Sequence, residues 1–499
     1  MNILVIDTGS SSMRGVLFSE TMQPLHTEQV EYYMREEPDG TCEMDPQVFS
    51  RALSAVCTSA VRYARENGQS VDAISLTSQR SSVLALDAGG TPLGSILMWH
   101  DRRSAADCAQ LTKQCGERFR AICGQALTPV LSAPKMALLR RLDPEQFSRA
   151  HRLAGIHDYL TACLTGEAVT DWTLASRTGL FDLRSRSWSD ELLAVFGIPR
   201  EKLCRLVPPG SVVGTVTAAF GKETGLPSKI PVVSAGGDQQ CSVLGQGILR
   251  PGQIGVTVGT GAYACLLCEE PSRARSVNCS AAAVPGGYLA EAGAPAAGVV
   301  YRWFRNTFFP ESGNSYDEVN RAAAKASGAD VILLPCFSGL LRPMPEPEAR
   351  GCFWNLSPDT TRGQMARAVL EGIAAETCDC VELLRDSAQG ACGKVRLTGG
   401  LARLPLFAQL CADMLGCEIG VPAACETTAA GAWISAAAAL GLFASQKEAA
   451  ERLTGCGETC YRPDPENGKR CARLRAAQRL LEQSIPSGQL AALLRGEQP

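Results

Sequence analysis

Two hydrophobic patterns alternate along this chain. Short β-branched apolar runs end in small polar residues, and between them lie stretches with apolar positions three and four residues apart; these are the signatures of buried strands and of helices. The first run, Ile3-Leu4-Val5-Ile6, breaks at Asp7-Thr8-Gly9-Ser10-Ser11-Ser12 and resumes as Val16-Leu17-Phe18, which predicts two antiparallel strands joined by a hydroxyl-rich turn. Residues 254–267, IGVTVGTGAYACLL, repeat the plan around Gly259-Thr260-Gly261. Two such units half a chain apart predict two related α/β domains, at 1–247 and 248–484, with a mobile tail at 485–499.

The remaining pattern fills in strands and helices. Asp45-Pro46 supplies a cap and a first-turn proline for a helix that runs to Asn67 and stops at Gly68. Residues 73–77 and 83–86 read as strands, and 96–100 leads through Asp101-Arg102-Arg103 into a helix. Residues 120–230, punctuated by Pro129, Pro134 and Pro144, read as an insertion of helices and loops. A short strand from Pro231 ends at Gly236-Gly237, and an apolar helix follows at 241–245. Beyond residue 300 the expected elements are a helix at 301–308, a strand at 331–335 and a long helix at 360–389. A strand at 395–398 and a helix after Pro405 follow, and a terminal helix closes the chain at 471–483. Residues 342–351 and 462–470 read as loops.

Composition narrows the class. At 499 residues the chain exceeds one hydrophobic core, and 45% apolar with 20% charged residues is ordinary for a globular protein. A net charge of −3 offers no basic field for nucleic acid. The most apolar stretch, TTAAGAWISAAAALGLFA at 427–444, is short for a membrane span and suits a close-packed buried helix. No basic and apolar leader opens the sequence, so the expected compartment is the cytoplasm. Cys265-Leu-Leu-Cys268 lies in an expected strand, where residues three apart point to opposite faces. The 22 cysteines therefore read as small core residues rather than metal ligands.

The polar interruptions carry the candidate chemistry. Gly9 admits a ligand close to the backbone, and turn N–H groups with the Ser10, Ser11 and Ser12 hydroxyls can donate to phosphate oxygens. Asp7 is placed to hold Mg²⁺ directly or through water, and Arg14 adds a cation. A solvent-facing serine turn explains the stretch equally well; the echo at Gly259-Thr260-Gly261 favours phosphate. No GxxxxGK[ST] loop occurs, so hairpin turns would hold any nucleotide. Gly399-Gly400-Leu401, between a strand and a helix, is either a seat for a flat adenine ring or a routine turn. Asp238, after two glycines and before a helix, has its anion favoured there. It suits a proton acceptor in phosphoryl transfer, and it equally suits plain capping. Gln79, Arg80, Trp99 and Asp101, at strand ends, suggest the lining of an acceptor cleft, with surface ion pairing the alternative for Arg80 and Asp101. Residues 170–178 offer a second wall, or a helix start capped by Asp171.

Taken in order, these motifs resemble those of the FGGY carbohydrate kinases, in the superfamily of sugar kinases, actin and Hsp70 ATPases, over residues 1 to about 445. The resemblance implies an α/β fold of two ribonuclease-H-like (actin-type ATPase) domains with a central cleft, MgATP mainly on the second and a sugar or polyol mainly on the first. It implies Thr8 to Ser12 with Arg14, and Gly259-Thr260-Gly261, as phosphate segments, Gly399-Gly400-Leu401 as the adenosine segment, and Asp238 as general base. Arg350-Gly351 through Glu371-Gly372 corresponds to the second family signature; the first is degraded, keeping Lys135 but with Leu138 where a Trp is usual.

Within the family, ILMWHDRR, TDWTLASRTGLFDL and GDQQ are similar to glycerol kinase motifs. Arg80, Trp99, Asp238 and Gln239 match its polyol-binding positions, and Tyr263 keeps an aromatic ring. Its Arg-Glu pair is Arg80-Ser81 here, however, and its Tyr after Pro is Val130 after Pro129. Two polar contacts are missing, which implies a roomier pocket and a longer polyol or a ketose. The expectation is an ATP- and Mg²⁺-dependent phosphotransferase with a sugar or polyol hydroxyl as acceptor, needing no nucleic acid or membrane, with a homodimer as an open assembly. Glycerol kinase itself, and an actin-like regulatory ATPase without a small-molecule acceptor, are the alternatives.

Overall fold

The strand Ile3–Thr8 runs through the middle of a six-stranded sheet in the computed structural model, which describes residues 1–326, 330–337, 339, 349–388, 393–423, 426–454, 457–485 and 487–496. The sheet order is Ser211–Thr215, Pro231–Gly237, Ala73–Ser78, Ile3–Thr8, Ser12–Phe18, Pro24–Glu31. Ile3–Thr8 pairs antiparallel with Ser12–Phe18 and parallel with Ala73–Ser78, so Asp7 stands opposite Arg14 on one side and Thr77 on the other.

The unbroken apolar run ILVI reflects burial on both faces. Leu4 and Ile6 join Phe49, Leu53 and Val56 of the helix Pro46–Glu66 in one core. Ile3 and Val5 join Trp433 and Ile434 of the helix Thr427–Ala439, with Leu244, in another. Side chains alternate across a strand, so Asp7 lies on the Ile3–Val5 face and Thr8, fully buried, on the other. The alanine- and glycine-rich stretch is thus the buried helix its composition predicts. It crosses Asp238–Gly245 so closely that a Cβ on Gly431 would sit 1.8 Å from the Cys241 carbonyl oxygen. Among the described residues no helix is long and apolar enough to cross a membrane.

The chain divides into two compact units. The first comprises Met1–Pro251, Leu267–Ala290 and Glu426–Cys456; the second comprises Gly252–Leu266, Glu291–Cys425 and Gly457–Pro499. The second unit repeats the strand plan of the first. Ile254–Val258 pairs antiparallel with Ala262–Cys268 and parallel with Val395–Thr398, which is followed outward by Ile419–Pro422 and Glu458–Tyr461. The helix Arg362–Ser387 starts at Thr361, whose hydroxyl and Gln364 form a capping box.

Two local expectations need correction. Residues 465–470 are helical, in Pro465–Ser484, because Asp464 caps the first turn and Pro465 needs no N–H there. Within the expected insertion, Ser211–Thr215 extends the main sheet as its edge strand. The expected tail contains the helix Ser487–Leu494, an element the pattern does not predict and one that leaves the tail's mobility open to test. The expected loop at 342–351 falls, over 342–348, outside the described residues.

Candidate active site

In the first unit the turn after Ile3–Thr8 is closed by Gly9 N–H donating to Ser12 O at 2.9 Å. The Gly9 carbonyl accepts from Tyr32 Oη at 2.7 Å and from Gln79 Nε2 at 3.0 Å, and Trp99 Nε1 donates to Ser10 Oγ at 2.9 Å. Gln79 and Trp99, expected at an acceptor, therefore also brace the expected phosphate turn. Gln79 Oε1 is buried with no partner among the described residues. Ser10 and Ser12 are half-buried and Ser11 is exposed. Arg14 is engaged by Gln29 Oε1, from Nη2 at 2.8 Å, and by the carboxylate of Glu426.

Asp7 is half-buried at the end of the strand face covered by the helices that begin at Asp238 and Thr427. Its carboxyl is pushed up to about 7, first by removal from water and then by the charge of Asp238; Arg14 opposes the shift and Glu426 adds to it. An anion so disfavoured is a natural seat for a cation. Mg²⁺ takes one or two carboxylates together with substrate phosphates and water, and Asp7 fits that donor set. No cluster of three or more His, Cys, Asp or Glu among the described residues forms an all-protein metal cage.

Asp238 is the first residue of its helix, and its Oδ1 accepts from Gln239 N–H at 2.7 Å. Arg80 Nε lies 3.4 Å from Asp238 Oδ1, and Arg80 Nη1 is 3.4 Å from Gln240 Oε1. Gly237 makes the approach possible, since a Cβ there would fall 2.8 Å from Arg80 Cδ. Thr77 Oγ1 donates to Gly236 O at 2.8 Å, and Gly237 N–H donates to Thr173 Oγ1 at 2.8 Å. Thr173 Oγ1 in turn donates to Asp171 Oδ1 at 2.5 Å, while Asp171 Oδ2 accepts from Ser234 Oγ at 2.6 Å. Asp171 is thus the buried cap of Trp172–Ala175 and also the anchor for the backbone ahead of Asp238. Gln239 is half-buried beside it.

One expected cleft residue, Asp101, has other employment, and Ser81 and Lys135 donate to backbone carbonyls. Asp101 is fully buried and accepts from Cys42 N–H at 3.0 Å and from Arg103. Ser81 adopts φ +76°, a left-handed conformation rare for a residue with a Cβ, and its hydroxyl donates to Arg177 O at 3.3 Å. Behind it lies a small cavity of about 30 Å³, which His157, Asp158 and Gln79 line and which has room for a water. Lys135 is fully buried, and its ammonium donates to the carbonyls of Pro129, Val130 and Leu131 at 2.6 to 3.0 Å. Its task is to fix the segment that includes Val130.

The second unit holds a cavity of about 520 Å³ between the turn at Gly259-Thr260 and Gly400-Leu401, the volume of a small-molecule site. Gly259 N–H donates to Gly261 O at 2.9 Å, and Gly298 N–H to Gly259 O at 2.9 Å. Gly399 takes φ +95°, and a Cβ there would lie 2.3 Å from Val258 O; nothing lies within 4 Å of a Cβ on Gly400. Arg302, Tyr316 and Asn320 complete the wall. The helix Gly298–Phe308, which its aromatic residues assign to the core, buries Val300, Tyr301 and Phe304 and turns Arg302 to the cavity. Tyr301 Oη donates to Asn320 Oδ1 at 2.6 Å. Tyr263, also of this unit, is 41% exposed.

Comparisons with known proteins show the family. The N-terminal domain of the FGGY family of carbohydrate kinases matches residues 2–245, and its C-terminal domain matches residues 255–440. Glycerol kinase of Xanthobacter autotrophicus is 33% identical over 460 residues, covering 88% of this chain and 90% of that protein. Ligand-bound xylulose kinase from Lactobacillus acidophilus shares the fold with a TM-score of 0.89 at 24% identity, over 98% of this chain and 99% of that one. Plasmodium falciparum glycerol kinase with ADP does so with a TM-score of 0.88 at 22% identity, over 97% and 98%. The chain belongs to the FGGY family of carbohydrate kinases, phosphotransferases whose acceptor is an alcohol group.

Proposed function

We propose that this chain transfers the γ-phosphoryl group of ATP to a hydroxyl of a sugar or polyol, with a ketose or a polyol longer than glycerol as acceptor. The observation that carries the reading is the Arg80–Asp238 pair at a helix N-terminus, with the half-buried Asp7 carboxyl coupled to Asp238. Asp238 accepts the proton of the attacking hydroxyl, and Arg80, Trp99 and Gln239 position the acceptor. In the second unit Gly400 and Leu401 bound the adenosine, and the Gly259–Gly261 turn takes the phosphates; the Thr8–Ser12 turn and Arg14 serve the phosphates from the first unit. Asp7 would hold Mg²⁺ directly or through water, and the ion would supply neutralisation of charge on the phosphate oxygens. The cytoplasm, where ATP is plentiful, is the compartment this reading requires.

Glycerol as acceptor is the second reading, favoured by the 33% identity to glycerol kinases. Ser81 and Val130 argue against it, because the Ser81 hydroxyl donates to Arg177 O and Val130 has no polar group, so the carboxylate and phenol contacts to a three-carbon polyol are lost. Measuring ADP release against polyols, ketoses and aldoses decides between the two. Turnover with a ketose or longer polyol well above that with glycerol is expected, as is a gain of glycerol turnover in Ser81→Glu/Val130→Tyr. ATP hydrolysis indifferent to every acceptor would overturn the proposal. Asp238→Ala should lose nearly all transfer and still bind nucleotide.

A further inference from the structure

The first unit carries a second concavity that shares no lining residue with the acceptor set. It is about 370 Å³ in volume, and three segments build it: the helix Ala105–Cys123 with Glu117 and Arg120, the turn at Arg184, and the segment with Arg273 and Arg275. Its walls are tied together. Arg120 Nη1 donates to Val277 O at 2.7 Å, Cys279 N–H donates to Gly124 O at 2.8 Å, and Ala126 N–H donates to Asn278 Oδ1 at 2.9 Å.

Four guanidinium groups face one carboxylate in this pocket. Glu117 is paired with Arg275. Arg184 and Arg273 are exposed and form no ion pair among the described residues. Asp182, the nearest acid in sequence to Arg184, accepts from the Arg184 and Ser185 backbone N–H groups. Arg120 is half-buried against a carbonyl instead of a carboxylate. Burial pulls its pKa below the usual range, and the like charge of Arg275 adds to this. On a protein of net charge −3, the lining of this hollow thus carries an excess of positive charge, four guanidinium groups against one carboxylate. Planar guanidinium forks match phosphate oxygens in pairs, and a low-dielectric concavity focuses their field.

We propose that this pocket binds a small molecule carrying at least two phosphate groups, at a site separate from the acceptor residues. Glu117 limits the charge at one rim, and Arg120 forms the fixed floor. Arg184 and Arg273 are the exposed arms that close on the ligand.

The test is calorimetric titration of inorganic pyrophosphate into the full-length protein held in saturating ADP without divalent ions, so that the nucleotide site is already filled. One binding event is expected, weakened by raised salt and weakened about tenfold or more in Arg184→Ser/Arg273→Ser. Both residues are exposed, so the double variant should keep its melting temperature and its basal phosphoryl transfer. Inorganic phosphate should bind about tenfold more weakly than pyrophosphate. Absence of a binding event beyond ADP would overturn the site. Undiminished binding in the double variant would do the same, and equal affinity for phosphate and pyrophosphate would overturn the two-phosphate assignment.

Discussion

Arg80 Nε stands 3.4 Å from Oδ1 of Asp238, with the two side chains 12% and 30% exposed. The contact joins the end of one parallel strand to the start of a helix that follows its neighbour, Pro231–Gly237. A cation so placed can hold an acceptor hydroxyl and orient the proposed base in one geometry. Arg80→Leu should lower kcat/KM for the acceptor about a hundredfold or more, because a polar contact to substrate and a partner of Asp238 are lost together. Affinity for ADP should not move. Arg80→Lys should restore part of the loss, since it keeps the charge and not the fork. Steady-state kinetics with the acceptor varied, together with ADP titration, check this; an unchanged acceptor kcat/KM would reduce Arg80 to a scaffold residue.

If Asp7 holds Mg²⁺ as proposed, metal binding should depend on pH. Its carboxyl ionises at about 7 in the fold against 3.8 when unperturbed. Between those values the folded state holds a proton that the unfolded state has released. The stabilising contribution of protonated Asp7 is therefore full below about pH 4, is withdrawn as pH rises to about 7, and is constant above. Mg²⁺ competes with that proton, so its apparent affinity should rise by up to about tenfold per pH unit below 7 and level off above. Asp7→Asn should remove the slope, melt higher than wild type at pH above 7 without metal, and lose turnover. Melting curves across pH with and without Mg²⁺ read the first two, and a phosphoryl-transfer assay reads the third.

The strands at 3–8 and 254–258 are legible in the sequence because both are rich in buried β-branched residues, and the duplication is legible because each run is followed by a Thr-Gly turn. The helix Pro46–Glu66 is legible from Asp45-Pro46, whereas the same signal at Asp464-Pro465 is masked by Gly468 and the charges around it, which read as loop. Asp238, Arg80 and the glycine turns are visible as polar interruptions of apolar strands. Arg302, Tyr316 and Asn320 are not, since one polar face of an amphipathic helix looks the same whether it meets water or a cavity. Nor can pattern show that Asp101 is buried beneath Arg103, or that Thr173 supports Gly237, because both depend on pairings distant in sequence or on burial.

Adjacent glycines in the second unit should respond in opposite ways. Gly399 has φ +95°, and a methyl placed on it would meet Val258 O at 2.3 Å, whereas a methyl on Gly400 meets nothing within 4 Å. Gly399→Ala should destabilise the fold by about 3 kcal/mol or more, combining a left-handed backbone with a clash against main chain. Gly400→Ala should stay within about 1 kcal/mol of wild type and still weaken nucleotide binding several-fold, because the methyl projects toward the cavity that Gly400 lines. Thermal melts and ADP titration separate the two. Equal stability of both variants would show that the backbone at Gly399 relaxes freely.

Thr173 links a buried acid to the peptide ahead of the proposed base: its Oγ1 donates to Asp171 Oδ1 at 2.5 Å and accepts from Gly237 N–H at 2.8 Å. Thr173→Val keeps the volume and removes both bonds. The Gly237 N–H is then buried without an acceptor, at a cost of about 1–3 kcal/mol, and the simplest relief is a shift of the Gly236-Gly237 backbone. Asp238 moves with it, and a displacement of about 1 Å in a reacting group can cost about a hundredfold in rate. Thr173→Val should therefore lower kcat by about ten- to a hundredfold, with acceptor KM and ADP affinity changed far less. Thr173→Ser, which retains the hydroxyl, should recover most of the rate. If Thr173→Ser is as slow as Thr173→Val, the methyl rather than the hydroxyl is what the site needs, and the chain from Asp171 to Gly237 does not position Asp238.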